Sequence, residues 1–186
     1  LRSSLQEALE GFQALQKDST FCGVVPYYIA QILYKQGKYQ EVIDFAPTVL
    51  NCGFVNNEFD IQHIIGNAYY QMGKFDLALQ FLERYHQNAR GTRDDYYELG
   101  YAYYKNKQFE KAIKNFDRVT RSRDSLCQIA MYQIGDAYLQ LNKLLPARSA
   151  FERAAEMTFI PQIKEDALFQ FAVLSFKVDI NPYDES

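Results

Sequence analysis

A short pattern recurs along this sequence at intervals of 36, 34 and 35 residues. Each copy places a large aliphatic residue before a glycine or alanine, a tyrosine shortly after it, and a second small residue twelve positions after the first. The first small residues are Ala30, Gly66, Gly100 and Gly135, with Ala172 following, and the second are Val42, Ala78, Ala112 and Ala147. Self-similarity with this period is typical of a stacked helical repeat, whose units bury their apolar faces against one another.

The small residues predict a close crossing of two antiparallel helices. A glycine within a helix costs roughly 1 kcal/mol relative to alanine, so glycines that recur at one phase indicate backbones close enough to offset this cost. Large apolar residues surround each crossing at spacings of three, four and seven, which are helical spacings. The alternative, a plain helical bundle with coincidental glycines, is disfavoured because several independent positions keep the same phase.

These features resemble the tetratricopeptide repeat family, whose motif has a large residue, Leu-Gly, a tyrosine, and then an aromatic residue and alanine after the turn. The copies that carry the resemblance begin at Gly23, Phe59, Arg93 and Gln128. The resemblance implies an all-α fold, a right-handed superhelical solenoid of antiparallel helix pairs with roughly nine to ten helices. It also implies that a peptide or protein surface binds in the concave groove.

The repeat phase predicts a single array over residues 1–186. It comprises the second helix of a preceding repeat in 1–20, four repeats in 23–58, 59–92, 93–127 and 128–162, and the first helix of a further repeat in 163–186. The terminal helices carry apolar stripes, which are Leu5, Ala8, Leu9, Phe12 and Leu15 at one end and Leu168, Phe171, Ala172 and Phe176 at the other. We therefore expect the natural protein to continue in both directions. We also predict that both stripes are exposed and that the chain self-associates head to tail through these terminal helices.

Composition restricts the class of function. A net charge of −3 argues against a general polyanion binder, and no apolar run reaches the roughly 18 residues that a membrane span needs. Cys22, Cys52 and Cys127 are not spaced as metal ligands or as an evident pair, so unpaired thiols are predicted. We therefore predict neither nucleic-acid binding nor direct membrane insertion, and the compartment stays unknown.

The sequence also disfavours an enzyme. His63 and His86 fall in different helices with no cysteine or carboxylate at metal-ligand spacing, and no serine or cysteine has the setting of a nucleophile. Each glycine is assigned to packing or turns, so no phosphate-binding glycine loop is predicted. We predict no catalytic residue, no metal site and no cofactor.

The resemblance also identifies the groove, which the family lines with first-helix residues that lie off the core stripe. In this sequence the positions are Tyr27, Gln31, Tyr34, Lys35, His63, Asn67, Tyr70, Gln71, Tyr97, Tyr101, Tyr104, Lys105, Tyr132, Asp136, Leu139 and Gln140. Tyrosine combines a large apolar face with a hydroxyl, which suits a recognition surface. Tyr97 and Tyr101 are predicted to be exposed in the groove, whereas Tyr34, Tyr70 and Tyr104 either line it or pack between repeats.

Two more specific ligand classes are not favoured. The chaperone-binding members of the family clamp a terminal carboxylate with lysine and asparagine, and here Asn67 matches but His63 stands where the lysine is needed. A basic stripe on one second helix is interpreted as a solvated, salt-bridged surface, because acidic residues interleave with it. The stripe consists of Lys111, Lys114, Arg118 and Arg121.

The sequence therefore predicts a protein–protein interaction scaffold with a tyrosine-rich groove. The alternative is a regulatory or sensor module of a larger protein with catalytic, membrane or DNA-binding segments outside this chain. Direct RNA binding is a third and weaker hypothesis.

Overall fold

The computed structural model describes residues 2–16, 18, 20–21, 23–50 and 58–180. These residues form α-helices and no β-strand, which confirms the all-α prediction for the described part of the chain. The helices are α1 (Arg2–Leu15), α2 (Val25–Lys35), α3 (Tyr39–Leu50), α4 (Glu58–Gln71), α5 (Phe75–Asn88), α6 (Arg93–Lys105), α7 (Phe109–Val119), α8 (Ser125–Gln140), α9 (Leu144–Ala155) and α10 (Pro161–Ile180). They divide between unit 1 (Leu1–Arg90) and unit 2 (Gly91–Ser186).

Helices that follow one another in the sequence pack together within each unit. In unit 1, α2 contacts α1, α3 and α4, while α4 also contacts α3 and α5. In unit 2, each helix from α6 to α9 contacts the next one, and α8 also contacts α10. Ile29, Ile61 and Ile65 are buried in unit 1, and Phe116 and Phe151 are the largest fully buried side chains of unit 2. Of the predicted thiols, Cys127 is buried and free, and Cys22 and Cys52 lie outside the described residues.

The glycine crossings are confirmed in both units. A Cβ atom on Gly66 would lie 2.9 Å from Leu82 of the partner helix, and one on Gly100 would lie 2.9 Å from the ring of Phe116. Gly135 has the same relation to Phe151, again at 2.9 Å. These distances are too short for a real Cβ atom, so the glycines are present because the helices nearly touch.

The turn within a helix pair repeats its geometry with different residues. Gly37 and Gly73 adopt left-handed φ angles of 74° and 71° in unit 1, and Lys107 and Asn142 adopt 58° and 57° in unit 2. Lysine is an unusual residue for this region, because a Cβ atom disfavours positive φ.

The first residues of two motif copies close their own helix pairs with side-chain hydrogen bonds. Arg93 donates to the carbonyl oxygen of Val119 from Nε at 3.0 Å and from Nη2 at 2.7 Å. Gln128 is fully buried and donates from Nε2 to the carbonyl of Met157 at 2.8 Å, and its Oε1 accepts the N–H of Ile160 at 2.8 Å. Each pair is thereby tied at the end where its second helix stops.

Arg93 also holds Asp124, the N-cap residue of α8. Its Nη1 lies 2.6 Å from Oδ2 of Asp124, and the Asp124 side chain accepts the N–H of Cys127 at 2.9 Å. The hydrogen bond from Arg93, followed by that from the Cys127 backbone, lowers the pKa of Asp124 to about 2. The carboxylate is therefore charged at neutral pH and fully engaged inside unit 2.

The two terminal stripes differ, which corrects the prediction that both are free. In α1, Leu9 is buried and Leu5, Ala8 and Phe12 pack against the core of unit 1, because α1 covers α2. Leu15 is the member of this stripe that stays exposed, at 39%. In α10, by contrast, Leu168, Phe176 and Ile180 are 53%, 69% and 60% exposed. No described helix is both long and apolar enough to cross a membrane.

Candidate functional site

The predicted groove residues lie on α2 and α4 in unit 1 and on α6 and α8 in unit 2. We call these two sets the unit 1 face and the unit 2 face. Most of the side chains are half-buried, while Lys35, Gln71, Lys105 and Gln140 at the ends of their helices are exposed. Half-buried side chains are held by their neighbours and still present one edge to a ligand.

On α2, Tyr27 and Gln31 form a fixed pair. Gln31 donates from Nε2 to the hydroxyl oxygen of Tyr27 at 2.6 Å. Burial, and then the charge of Asp60, raises the pKa of Tyr27. The phenol therefore stays neutral and is available as a hydrogen-bond donor at neutral pH.

On α4, His63 and Asn67 contact each other. Asn67 Nδ2 lies 3.1 Å from Nε2 of His63, and the His63 ring stacks on Tyr85 with 4.1 Å between the ring centroids. The amide nitrogen of Asn67 therefore contacts the His63 ring rather than a lysine.

Three of the predicted tyrosines pack inside their own helix pairs. Each is half-buried against the first aromatic residue of the following second helix. The ring centroids are 5.3 Å apart for Tyr34 and Tyr39, 5.5 Å for Tyr70 and Phe75, and 5.6 Å for Tyr104 and Phe109. Each ring therefore packs against the residue that opens the second helix of its pair, and each side chain stays half-buried.

The unit 2 face carries a row of tyrosines along α6. The ring centroids of Tyr97 and Tyr101 are 6.2 Å apart, and those of Tyr101 and Tyr104 are 6.3 Å apart. Tyr97 also lies 5.6 Å from the ring of Phe116, and burial raises the pKa of Tyr97 to about 12. Both Tyr97 and Tyr101 are half-buried, so the exposure predicted for them is only partial. Lys105 places its Nζ 5.3 Å from the centroid of Tyr101.

Asp136 joins α8 to this row. The hydroxyl of Tyr104 donates to Oδ2 of Asp136. Burial, and then this hydrogen bond, raises the pKa of Tyr104. One turn earlier on α8, the ring of Tyr132 rests edge-on against Phe151 with 5.3 Å between the centroids. The face is therefore a set of phenols arranged around one carboxylate.

Phe169 of α10 is an exposed aromatic residue that the predicted groove positions did not include. It is 66% exposed and lies three residues before Ala172, as Tyr97 precedes Gly100 and Tyr132 precedes Gly135. The phase of the small residue was therefore sufficient to identify it. With Phe169 included, all three first helices of unit 2 carry an aromatic residue at the same position.

The basic stripe of α7 is solvent-exposed as predicted, and two of its cations lie over tyrosine rings. Lys111 Nζ lies 5.0 Å from the ring centroid of Tyr103, and the Arg118 guanidinium lies 4.7 Å from that of Tyr96. Arg118 also donates from Nη1 to the Tyr96 hydroxyl at 2.9 Å. These cations cover tyrosine rings of α6, which is a packing role.

Comparison with known proteins agrees with this geometry. Two family models described as tetratricopeptide repeat match residues 59–85 and residues 97–161. No curated protein matches the sequence.

Several solved structures share the fold. YrrB, described as a TPR protein with an unusual peptide-binding site, is 20% identical over 89% of this chain and 84% of its own, with a TM-score of 0.73. MamA from Desulfovibrio magneticus RS-1 is 23% identical over 84% of this chain and 86% of its own, with a TM-score of 0.66. The C-terminal part of a TPR repeat-containing protein from Cytophaga hutchinsonii is 20% identical over 98% of this chain and 69% of its own, with a TM-score of 0.67.

Proposed function

This chain belongs to the tetratricopeptide repeat family, and from that premise we propose that it is a protein–protein interaction scaffold. In this proposal a peptide or protein surface binds against the tyrosine-rich faces of the first helices. The observation that carries the proposal is the row of Tyr97, Tyr101 and Tyr104, whose rings are held by one another and by Phe116 and Phe109. A ligand that covers rings already held in place gains contact area with little loss of side-chain entropy. The peptide-binding site described for YrrB, which has a similar fold, is consistent with this role.

A selection from a phage-displayed random peptide library tests the proposal directly. We expect the wild-type chain to enrich peptides, and we expect a Tyr97→Ala, Tyr101→Ala variant to bind them at least about tenfold more weakly, because aromatic anchors dominate such interfaces. Isothermal titration calorimetry with the selected peptides measures the difference.

Tyr96→Ala is the matched control, because Tyr96 lies on the same helix and its ring covers Arg118 of α7. Its affinity for the selected peptides is expected to remain within about twofold of the wild type. Equal binding by the double variant and the wild type would contradict the assignment of the surface.

Self-association of the chain is a second proposal, carried by the exposed face of α10. Most of the apolar stripe of α1 packs against the core of unit 1 and is not available for a head-to-tail contact. The acceptor surface in this proposal is instead a partly exposed apolar group that consists of Leu15, Phe21, Val24 and Tyr28. Each of these four side chains is about two-fifths exposed, from 38% to 41%.

Light scattering as a function of concentration tests this contact. We expect the mass of the wild type to rise with concentration and that of Phe176→Ser to stay at the monomer value. The substitution removes a ring that is 69% exposed and that the contact would cover. Phe159→Ser removes another exposed ring, at 51%, outside α10 and is expected to behave as wild type. A monomeric wild type at high concentration would refute the proposal.

A further inference from the structure

We propose that the unit 2 face binds a basic side chain of its peptide ligand, a lysine ammonium or an arginine guanidinium, beside Tyr132, Asp136 and Asp166. The inference rests on the proposed function and specifies its ligand. Its geometric basis is a half-buried carboxylate on α8 that neutral groups alone engage, with a second carboxylate on the neighbouring helix α10.

A neutral group, the Tyr104 hydroxyl, is hydrogen-bonded to Asp136. The Asp136 carboxylate accepts this hydrogen bond, and within the part of the chain that the structure describes no lysine or arginine is in ion-pair contact with it. Asp124 of the same unit provides the contrast, because Arg93 pairs with it at 2.6 Å. A partly buried charge that is left unpaired is unfavourable, and a cationic ligand relieves this.

Asp166 adds a second negative charge on the same side. It lies in the first turns of α10, which packs against α8, and accepts a hydrogen bond from the neutral amide of Gln162 at 3.1 Å. Besides burial, the charges of Asp166 and Asp136 both raise the pKa of Tyr132. The Tyr132 phenol therefore lies within the electrostatic reach of both carboxylates, and a cation placed there interacts with two anions.

The aromatic rings supply the other half of the site. Three cations of this unit already lie over tyrosine rings, Lys105 over Tyr101 among them, at 4.7 to 5.3 Å from the ring centroids. The attraction comes from the negative face of the ring and adds to that of a nearby carboxylate. Asp136 and Tyr132 are one helical turn apart, so a single long basic side chain reaches both.

The first arm of the test uses the peptides that the random library yields on the full chain. We expect them to share a lysine or arginine at a fixed distance from an aromatic or aliphatic residue. Replacing that basic residue by citrulline or norleucine, which are neutral, is expected to weaken binding about tenfold or more. Selected peptides without a positional basic residue would overturn the inference.

The second arm changes the protein. Asp136→Asn keeps an acceptor for Tyr104, and Asp166→Asn lies at an exposed position, so both variants are expected to fold; thermal unfolding checks this. Each is expected to lose affinity for the basic peptide and to bind the citrulline peptide as wild type does. Glu110→Gln, an exposed carboxylate of second helix α7, is the matched control and is expected to change neither affinity.

The outcomes distinguish failure of the basic subsite from failure of the proposed scaffold function. Peptides that bind in a Tyr97- and Tyr101-dependent way, but equally well to wild type and to the Asp136→Asn, Asp166→Asn double variant, would refute the basic subsite and leave the scaffold function standing. Failure of the library to yield any peptide that depends on Tyr97 and Tyr101 would refute the proposed function itself.

Discussion

Replacing Phe151 with alanine is expected to lower the free energy of unfolding by about 3–5 kcal/mol. The ring is 1% exposed, lies against Gly135 of α8, and receives the edge of Tyr132. Its removal leaves a cavity at the crossing of α8 and α9, where the backbones approach too closely for other side chains to fill it. Urea unfolding followed by circular dichroism measures the loss.

Gly135→Ala provides a further test of this crossing. Its effect on the free energy of unfolding is expected to change sign when Phe151, the residue opposite, is replaced by alanine. In the wild type the new methyl group would lie 2.9 Å from the Phe151 ring. Overpacking costs about 1–3 kcal/mol, which exceeds the gain in helix propensity of about 1 kcal/mol. In the Phe151→Ala background the methyl group has room, so the same change is expected to stabilise. A destabilising effect of equal size in both backgrounds would show that the two residues are not coupled.

Gln128→Leu is expected to cost about 3 kcal/mol, because it leaves buried backbone groups without partners. The Gln128 side chain bonds the carbonyl of Met157 and the N–H of Ile160, each at 2.8 Å, and also reaches the carbonyl of Ala154 at 3.3 Å. Leucine has nearly the same volume and supplies neither donor nor acceptor. The loss is measured by urea unfolding.

Hydrogen exchange distinguishes this cause from a general loosening. The amide of Ile160 is expected to exchange faster in Gln128→Leu. The exchange rates of amides in the middle of α9 are expected to change only by as much as the change in global stability explains. Gln133→Leu, a half-buried change on the same helix, is the control and is expected to cost less than about 1 kcal/mol. Unchanged protection of Ile160 in Gln128→Leu would contradict the role assigned to the side chain.

The helix pairs were predictable because their signal is steric and repeated. The glycine that faces Leu82, Phe116 or Phe151 recurs at the same position of its repeat, and this position locates each of the three crossings. The pattern therefore predicted the class of fold. Phe169 was equally predictable from the sequence, since it precedes Ala172 by three residues, as Tyr97 precedes Gly100.

Other features were not predictable, because different residue types form equivalent hydrogen bonds. Arg93 and Gln128 both bond the end of the second helix 26 residues later, at Val119 and Ala154, but an arginine and a glutamine share no sequence pattern. Likewise, the fate of the apolar stripe of α1 depended on which helix it covers. Its periodicity is the same whether it faces α2 or solvent.

The bonds made by Arg93 and Gln128 also bear on how such a chain changes in length. The residues that Arg93 joins lie within residues 93–124, and those that Gln128 joins lie within residues 128–160. A duplication or deletion of the gene segment that encodes one whole pair therefore carries both halves of each closing bond together. A breakpoint inside a pair separates them, so lineages are expected to gain or lose these pairs as intact blocks.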